Sequence, residues 1–148
     1  MRNRRRGWLA AAALSAAMTL GLATASPASA YAAGNSQWGR VCYQNRCVPK
    51  GTLLHVMDGH GVALTYDRAQ FTTLWPICNW WVDFDYYGEA GNRYKHIQGQ
   101  AHNRRCAING RVRVDFGTGP QPWQPGRACA TLYTSAIRLT QQCHDLHY

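Results

Sequence analysis

Six cysteines constrain this chain more than any other feature. Cys42, Cys47, Cys78, Cys106, Cys129 and Cys143 form an even set within one chain of 148 residues. In an oxidising compartment such a set becomes a disulfide framework around a small core. Six cysteines allow fifteen connectivities. The sequential one, 42–47, 78–106 and 129–143, is expected because each pair then brackets a hairpin or a strand pair.

The N-terminus supplies the compartment. MRNRRRGW is basic, LAAAALSAAMTLGLA is apolar, and SPASA ends on the small-x-small pattern Ala28-Ser29-Ala30. That is the layout of a secretory signal peptide over residues 1–30, with cleavage after Ala30 and Ala33 as a second possible site. The apolar run is too short to span a bilayer, so no membrane association is expected after cleavage. The rest reads as a flexible arm at 31–40 and one disulfide-stapled domain at 41–148, long enough for a single core.

Removing the leader changes the charge. Four of the sixteen Lys and Arg residues (Arg2, Arg4, Arg5, Arg6) lie in it and no acid does, leaving twelve bases against seven acids, a net +5 rather than +9. The mature part holds no run of five like charges, so nucleic acid is not an expected partner.

Alternation and turn residues point to strands. Val41-Cys42 and Cys47-Val48 flank a four-residue connection, and Thr52–Met57 and Val62–Tyr66 flank Asp58-Gly-His-Gly61. From Asn79 to Tyr87 the side chains alternate, with Trp80, Val82, Phe84 and Tyr86 on one face and Trp81, Asp83, Asp85 and Tyr87 on the other. A five-residue loop at Gly88–Asn92 would return the chain, opposing Tyr87 to Arg93, Tyr86 to Tyr94, Asp85 to Lys95 and Phe84 to His96. Asn109-Gly110 signals a further hairpin turn, Gly117–Gly126 an irregular surface loop, and Thr131–Thr140 a last strand ahead of a polar tail. No segment has helical periodicity. The expected fold is all-β, an antiparallel sandwich or barrel built of hairpins.

Two constellations invite a catalytic reading. His55, Asp58 and His60 surround the Asp-Gly turn, but their spacing matches no zinc class, and turn capping explains the Asp. His96 and His102, with Asp83, Asp85 or Glu89, would suit acid–base hydrolysis of a phosphodiester or glycosidic bond, as a small nuclease or glycan-cleaving enzyme. Solvated acids on a strand face explain the same residues. No Ser or Cys nucleophile motif and no phosphate-binding glycine loop is present, and no metal or cofactor is expected.

Aromatics and Arg are left over. Of the five tryptophans outside the leader, Trp75 and Trp80 read as core, whereas Trp81 on the polar face and Trp123 in the Pro-Gln loop read as exposed. Such rings beside Arg suit protein interfaces, and they also suit stacking on a glycan. The expected contact residues are Tyr31 and Trp38 with the arm, Arg40, Trp81, Tyr87 and Trp123.

The layout of Arg- and Ala-rich leader, arm at Tyr31–Gln37 and cysteine-rich β-domain resembles small secreted actinobacterial β-proteins, which are often enzyme inhibitors or binding subunits. Within that group it is similar to the small adaptor subunit of the umbrella toxin particles of actinomycetes. In those particles a secreted β-protein bridges a toxin chain to lectin-bearing, trypsin-like subunits, partly through its N-terminal arm. The resemblance implies a non-enzymatic adaptor for another secreted or cell-surface protein. An enzyme inhibitor and the small hydrolase are the alternatives.

Overall fold

The computed structural model describes residues 29–43, 46–60, 63–99, 105–117, 123–135 and 137–147. Every regular element among them is a β-strand. In chain order these are β1 (Ser29–Trp38), β2 (Val41–Tyr43), β3 (Arg46–Val48), β4 (Gly51–His60) and β5 (Ala63–Ile77), then β6 (Trp80–Gly88), β7 (Arg93–Gln98), β8 (Ala107–Asp115), β9 (Gly126–Thr134) and β10 (Ile137–Leu146).

The strands form a sandwich of two antiparallel four-stranded sheets, ordered β1-β4-β5-β8 and β10-β9-β6-β7, with β2 and β3 as a separate ribbon. Period-two alternation explains the core between them. Leu53 and Met57 of β4, Ala69 and Phe71 of β5 and Val112 of β8 face Trp80, Val82, Phe84 and Tyr86 of β6 and Ala128, Ala130 and Leu132 of β9. The cysteines pair 42–47, 78–106 and 129–143, as their spacing suggests. Cys42–Cys47 closes the ribbon and Cys129–Cys143 crosses between β9 and β10. Cys78–Cys106 stands one step beyond the Ile77↔Ala107 pair, so it closes the β5–β8 ladder of the first sheet where the chain leaves β5 for β6.

Several segments differ from the sequence expectation. The arm expected to be flexible is strand β1, paired along its whole length with β4 from Ser29↔His60 to Trp38↔Gly51. Ahead of Trp38 its inward positions, Ala32, Gly34 and Ser36, are small, and they let β1 lie close to β10. Ser36 Oγ is 2.9 Å from Thr140 Oγ1, and a side chain at Gly34 would collide with Gln142 and His144. Asn109-Gly110 is not a turn but the middle of β8, because the rings of Phe71 and Trp80 occupy the space a side chain at Gly110 would need. The segment expected as one strand at Thr131–Thr140 divides into β9 and β10, with Ser135 in the left-handed region (φ 44°), and the expected tail continues β10.

Candidate functional site

The most exposed large apolar side chains lie at one end of the first sheet, where β5 leaves its ladder. Thr72 pairs with Asn109 of β8 and the next pair is Ile77 with Ala107, so residues 73–76 of β5 stand opposite Ile108 alone. Pro76 has no N–H to give to the ladder, and a bulge of this kind turns side chains away from the sheet. Leu74 is 64% exposed and Trp75 69% exposed, beside Ile108 at 48%. The bulge is braced from within: the Thr73 hydroxyl lies 2.6 Å from the Trp75 carbonyl oxygen and 3.3 Å from that of Ile108. Trp75 therefore stands outside the core to which its sequence assigned it.

Two open hollows flank this promontory and share Lys50. One, of about 320 Å³, has Gln37, Thr52, Thr72 and Leu74 on its walls. The other, of about 590 Å³, lies between the ribbon and the bulge, walled by Arg40, Cys47, Pro49, Trp75 and Pro76. Trp38, expected as a contact residue, is instead the foundation here. Its ring is buried against Gly51, where a side chain would collide with it, and its indole N–H donates to the Pro49 carbonyl at 2.8 Å. Arg40 is exposed at the rim.

The outer face of the second sheet carries the titratable cluster. Trp81, Asp83, Asp85 and Tyr87 do lie on the polar face of β6, but the expected register with β7 is off by one beyond Tyr87↔Arg93. A bulge at Tyr94 sets Tyr86 opposite Lys95, Asp85 opposite His96 and Phe84 opposite Ile97. A slip of one residue moves a side chain to the other face, so His96 joins the acids rather than the core. Asp85, buried apart from its rim, accepts from His96 Nδ1 at 2.8 Å and from Arg93 at 3.0 Å, both on Oδ1. His96 Nε2 has no partner among the described residues and its ring is half exposed.

Next to this pair, burial raises the Asp83 carboxyl above its usual range, and the hydrogen bond from the Trp81 indole at 3.4 Å offsets part of the effect. Trp81 is half-buried, its ring stacked on Tyr133 at 5.1 Å between centroids. Burial also raises the Tyr133 phenol. A groove of about 510 Å³ runs below over the Cys129–Cys143 bridge, lined by Tyr87, Glu89, Arg127, Asp145 and His147. His102 lies outside the described residues.

The histidine constellation at the Asp-Gly turn does not assemble. His55 points into the core and is fully buried, Asp58 is half-buried and His60 is exposed. His55 belongs to an inter-sheet polar cluster instead. Its Nε2 lies 2.6 Å from Asp67 Oδ1 and its Nδ1 lies 3.1 Å from the Gln142 carbonyl oxygen, so both ring nitrogens face acceptors. An imidazole with a proton on each nitrogen satisfies both, opposite the Asp67 carboxylate. Tyr86 donates to the other oxygen of Asp67 at 2.8 Å, and His144 Nε2 donates to the His55 carbonyl at 3.1 Å. Burial above all, then the neighbouring Asp67 charge, raises the Tyr86 phenol far above its ordinary range. The local sign of this cluster in the sequence is a single acid, Asp67, set within a run of strand-forming residues.

Trp123 is buried, contrary to its expected exposure. It packs 4.6 Å from Tyr86 and 4.7 Å from Phe116, with Lys95 Nζ 4.1 Å above its ring. A cation over an aromatic face is attracted by the ring quadrupole, which adds to the burial of Trp123. Tyr31 is 63% exposed on β1, and Tyr87 is half-buried. Among the described residues no three His, Cys, Asp or Glu side chains are grouped to hold a metal ion.

The chain matches no known family model, no curated protein and no solved structure.

Proposed function

We propose that the protein is a secreted binding module that attaches to another secreted or cell-surface protein through its Trp75 end. It would serve as the adaptor in an extracellular, toxin-like assembly. One observation carries this reading: a tryptophan and a leucine are held out in solvent by a braced bulge instead of being folded into the core. A rigid aromatic anchor buries large area on binding at low entropic cost, and tryptophan is over-represented among residues that dominate interface energy. Three disulfides in a small domain suit an oxidising, extracellular setting.

The test is capture from culture supernatant by the tagged mature protein, identification of the captured protein, and titration of the purified pair. Trp75→Ala should weaken that pair by about 2 kcal/mol or more, roughly thirtyfold. Unchanged affinity in Trp75→Ala, or a protein that stays solitary, refutes the reading. If the captured protein is an enzyme silenced by binding, the module is an inhibitor and not an adaptor.

The hydrolase reading has one observation of its own: the buried Asp85 carboxylate fixes His96 through Nδ1 and leaves Nε2 toward solvent. That is how a general base is oriented. RNA or cell-wall glycan turnover by the wild type, lost in His96→Ala, would favour it over the binding module.

A further inference from the structure

The hollow between the β2–β3 ribbon and the β5 bulge has a chemistry of its own. Pro49, Trp75 and Pro76 make its walls apolar, and the two prolines offer no backbone N–H. The charged donors are Arg40 and Lys50, beside the Trp75 indole N–H, and neither cation has an ion pair among the described residues. Elsewhere four of the seven acids are engaged, Asp85 by Arg93, Asp115 by Arg113 and Asp145 by Arg127, with Asp67 held by His55, and Asp58, Asp83 and Glu89 line neither hollow. Among the described residues no acid lines either hollow. This end of the first sheet is thus a cationic, apolar-walled cleft whose charge is left uncompensated within the described chain.

Resting on the binding reading above, we propose that this cleft takes an acidic, extended segment of the partner protein, with carboxylates on Arg40 and Lys50 and an apolar side chain against Trp75. Charge complementarity argues for this occupant. A nucleic acid would need more than two cations to neutralise its backbone, and the proline walls supply none. Arg40 adds the planar fork that matches a carboxylate, while Lys50 acts as a point charge between the two hollows. The cost of ordering is small on this side, because Thr73 already fixes the bulge.

The experiment uses the mature, oxidised protein and three fluorescein-labelled probes: a decapeptide alternating Asp or Glu with Leu, its Asn/Gln counterpart, and single-stranded oligo-dT. Fluorescence anisotropy should show binding of the acidic peptide, at least tenfold weaker binding of the amide peptide, and weakening by added salt. Arg40→Ala with Lys50→Ala should cost about tenfold, and Thr73→Val, which frees the bulge while leaving both cations, should cost less. Equal binding of acidic and amide peptides, no binding of the acidic peptide, or tighter binding of oligo-dT overturns the proposal. The two readings separate on the natural partner. If Trp75→Ala abolishes binding while Arg40→Glu with Lys50→Glu leaves it unchanged, the docking end stands and the acidic occupant is wrong.

Discussion

Replacing Asp67 by Ala removes the acceptor on which two buried donors converge. His55 and Tyr86 reach its two oxygens at 2.6 and 2.8 Å, and both His55 and Asp67 have 0% exposure. No water can take over without opening the sandwich. Removing one partner from a buried ion pair costs about 3–5 kcal/mol, because the remaining charge loses its compensation. A domain of this size has a total stability of about 5–15 kcal/mol. Each kcal/mol moves the midpoint by roughly 3–6 °C at this length, so Asp67→Ala should lower Tm by about 10–25 °C. Tyr86→Phe removes one hydrogen bond to a charged acceptor and should cost about 1.5–3 kcal/mol. The double variant His55→Leu/Asp67→Leu should be much milder than Asp67→Ala, since an apolar pair of similar volume leaves no buried charge. Calorimetry or circular dichroism melts of the oxidised protein read all three. An Asp67→Ala loss under about 1 kcal/mol, or a double variant less stable than Asp67→Ala, refutes the argument that charge compensation holds this part of the core.

Acid should destabilise the sandwich through His144. Burial first, and the neighbouring His55 second, lower its folded pKa, so the unfolded chain binds the proton more readily. Its contribution is intact above the ordinary histidine range of about 6.5 and is lost as pH falls through the lower folded value. His144→Gln should flatten that part of a pH–stability curve. Removing single disulfides should rank by loop length, with the separations of 28, 14 and 5 residues predicting losses of about 3.6, 3 and 2 kcal/mol. Urea melts of the three paired Cys→Ala variants check the order. Gly110→Ala drives a methyl into the Phe71 and Trp80 rings and should cost about 1–3 kcal/mol by overpacking, a loss that Phe71→Leu should partly relieve.

Much of the scaffold is legible in the sequence because it is written in local signals. The cysteine pairs bracket short segments, and β6 shows its two faces by strict alternation from Trp80 to Tyr87. What the sequence hides depends on distant partners. β1 carries almost no apolar alternation; it is a strand because β4 offers it an unpaired edge and β10 leaves room only for small residues. Asn109-Gly110 has the form of a turn, yet the glycine serves two aromatic rings from other strands. A single bulge at Tyr94 moved His96 to the face of Asp85. Trp75 and Trp123 exchanged their expected places, because a bulge ejects one and Tyr86, Phe116 and Lys95 enclose the other. Side-chain type alone carries none of that information.

The pairing of β1 with β4 also sets a distance. Tyr31 lies across from Asp58, Trp38 across from Gly51, and Gly51 across from Thr73, the base of the promontory. At about 3.3 Å per residue, the seven steps from Tyr31 to Trp38 span roughly 23 Å. The first sheet is in effect a rigid spacer, with a tyrosine at one tip and a tryptophan at the other. A partner held at the tryptophan tip would leave Tyr31 at the far tip open to a second contact, and a label fused ahead of Tyr31 in the mature chain would sit about that far from the tryptophan.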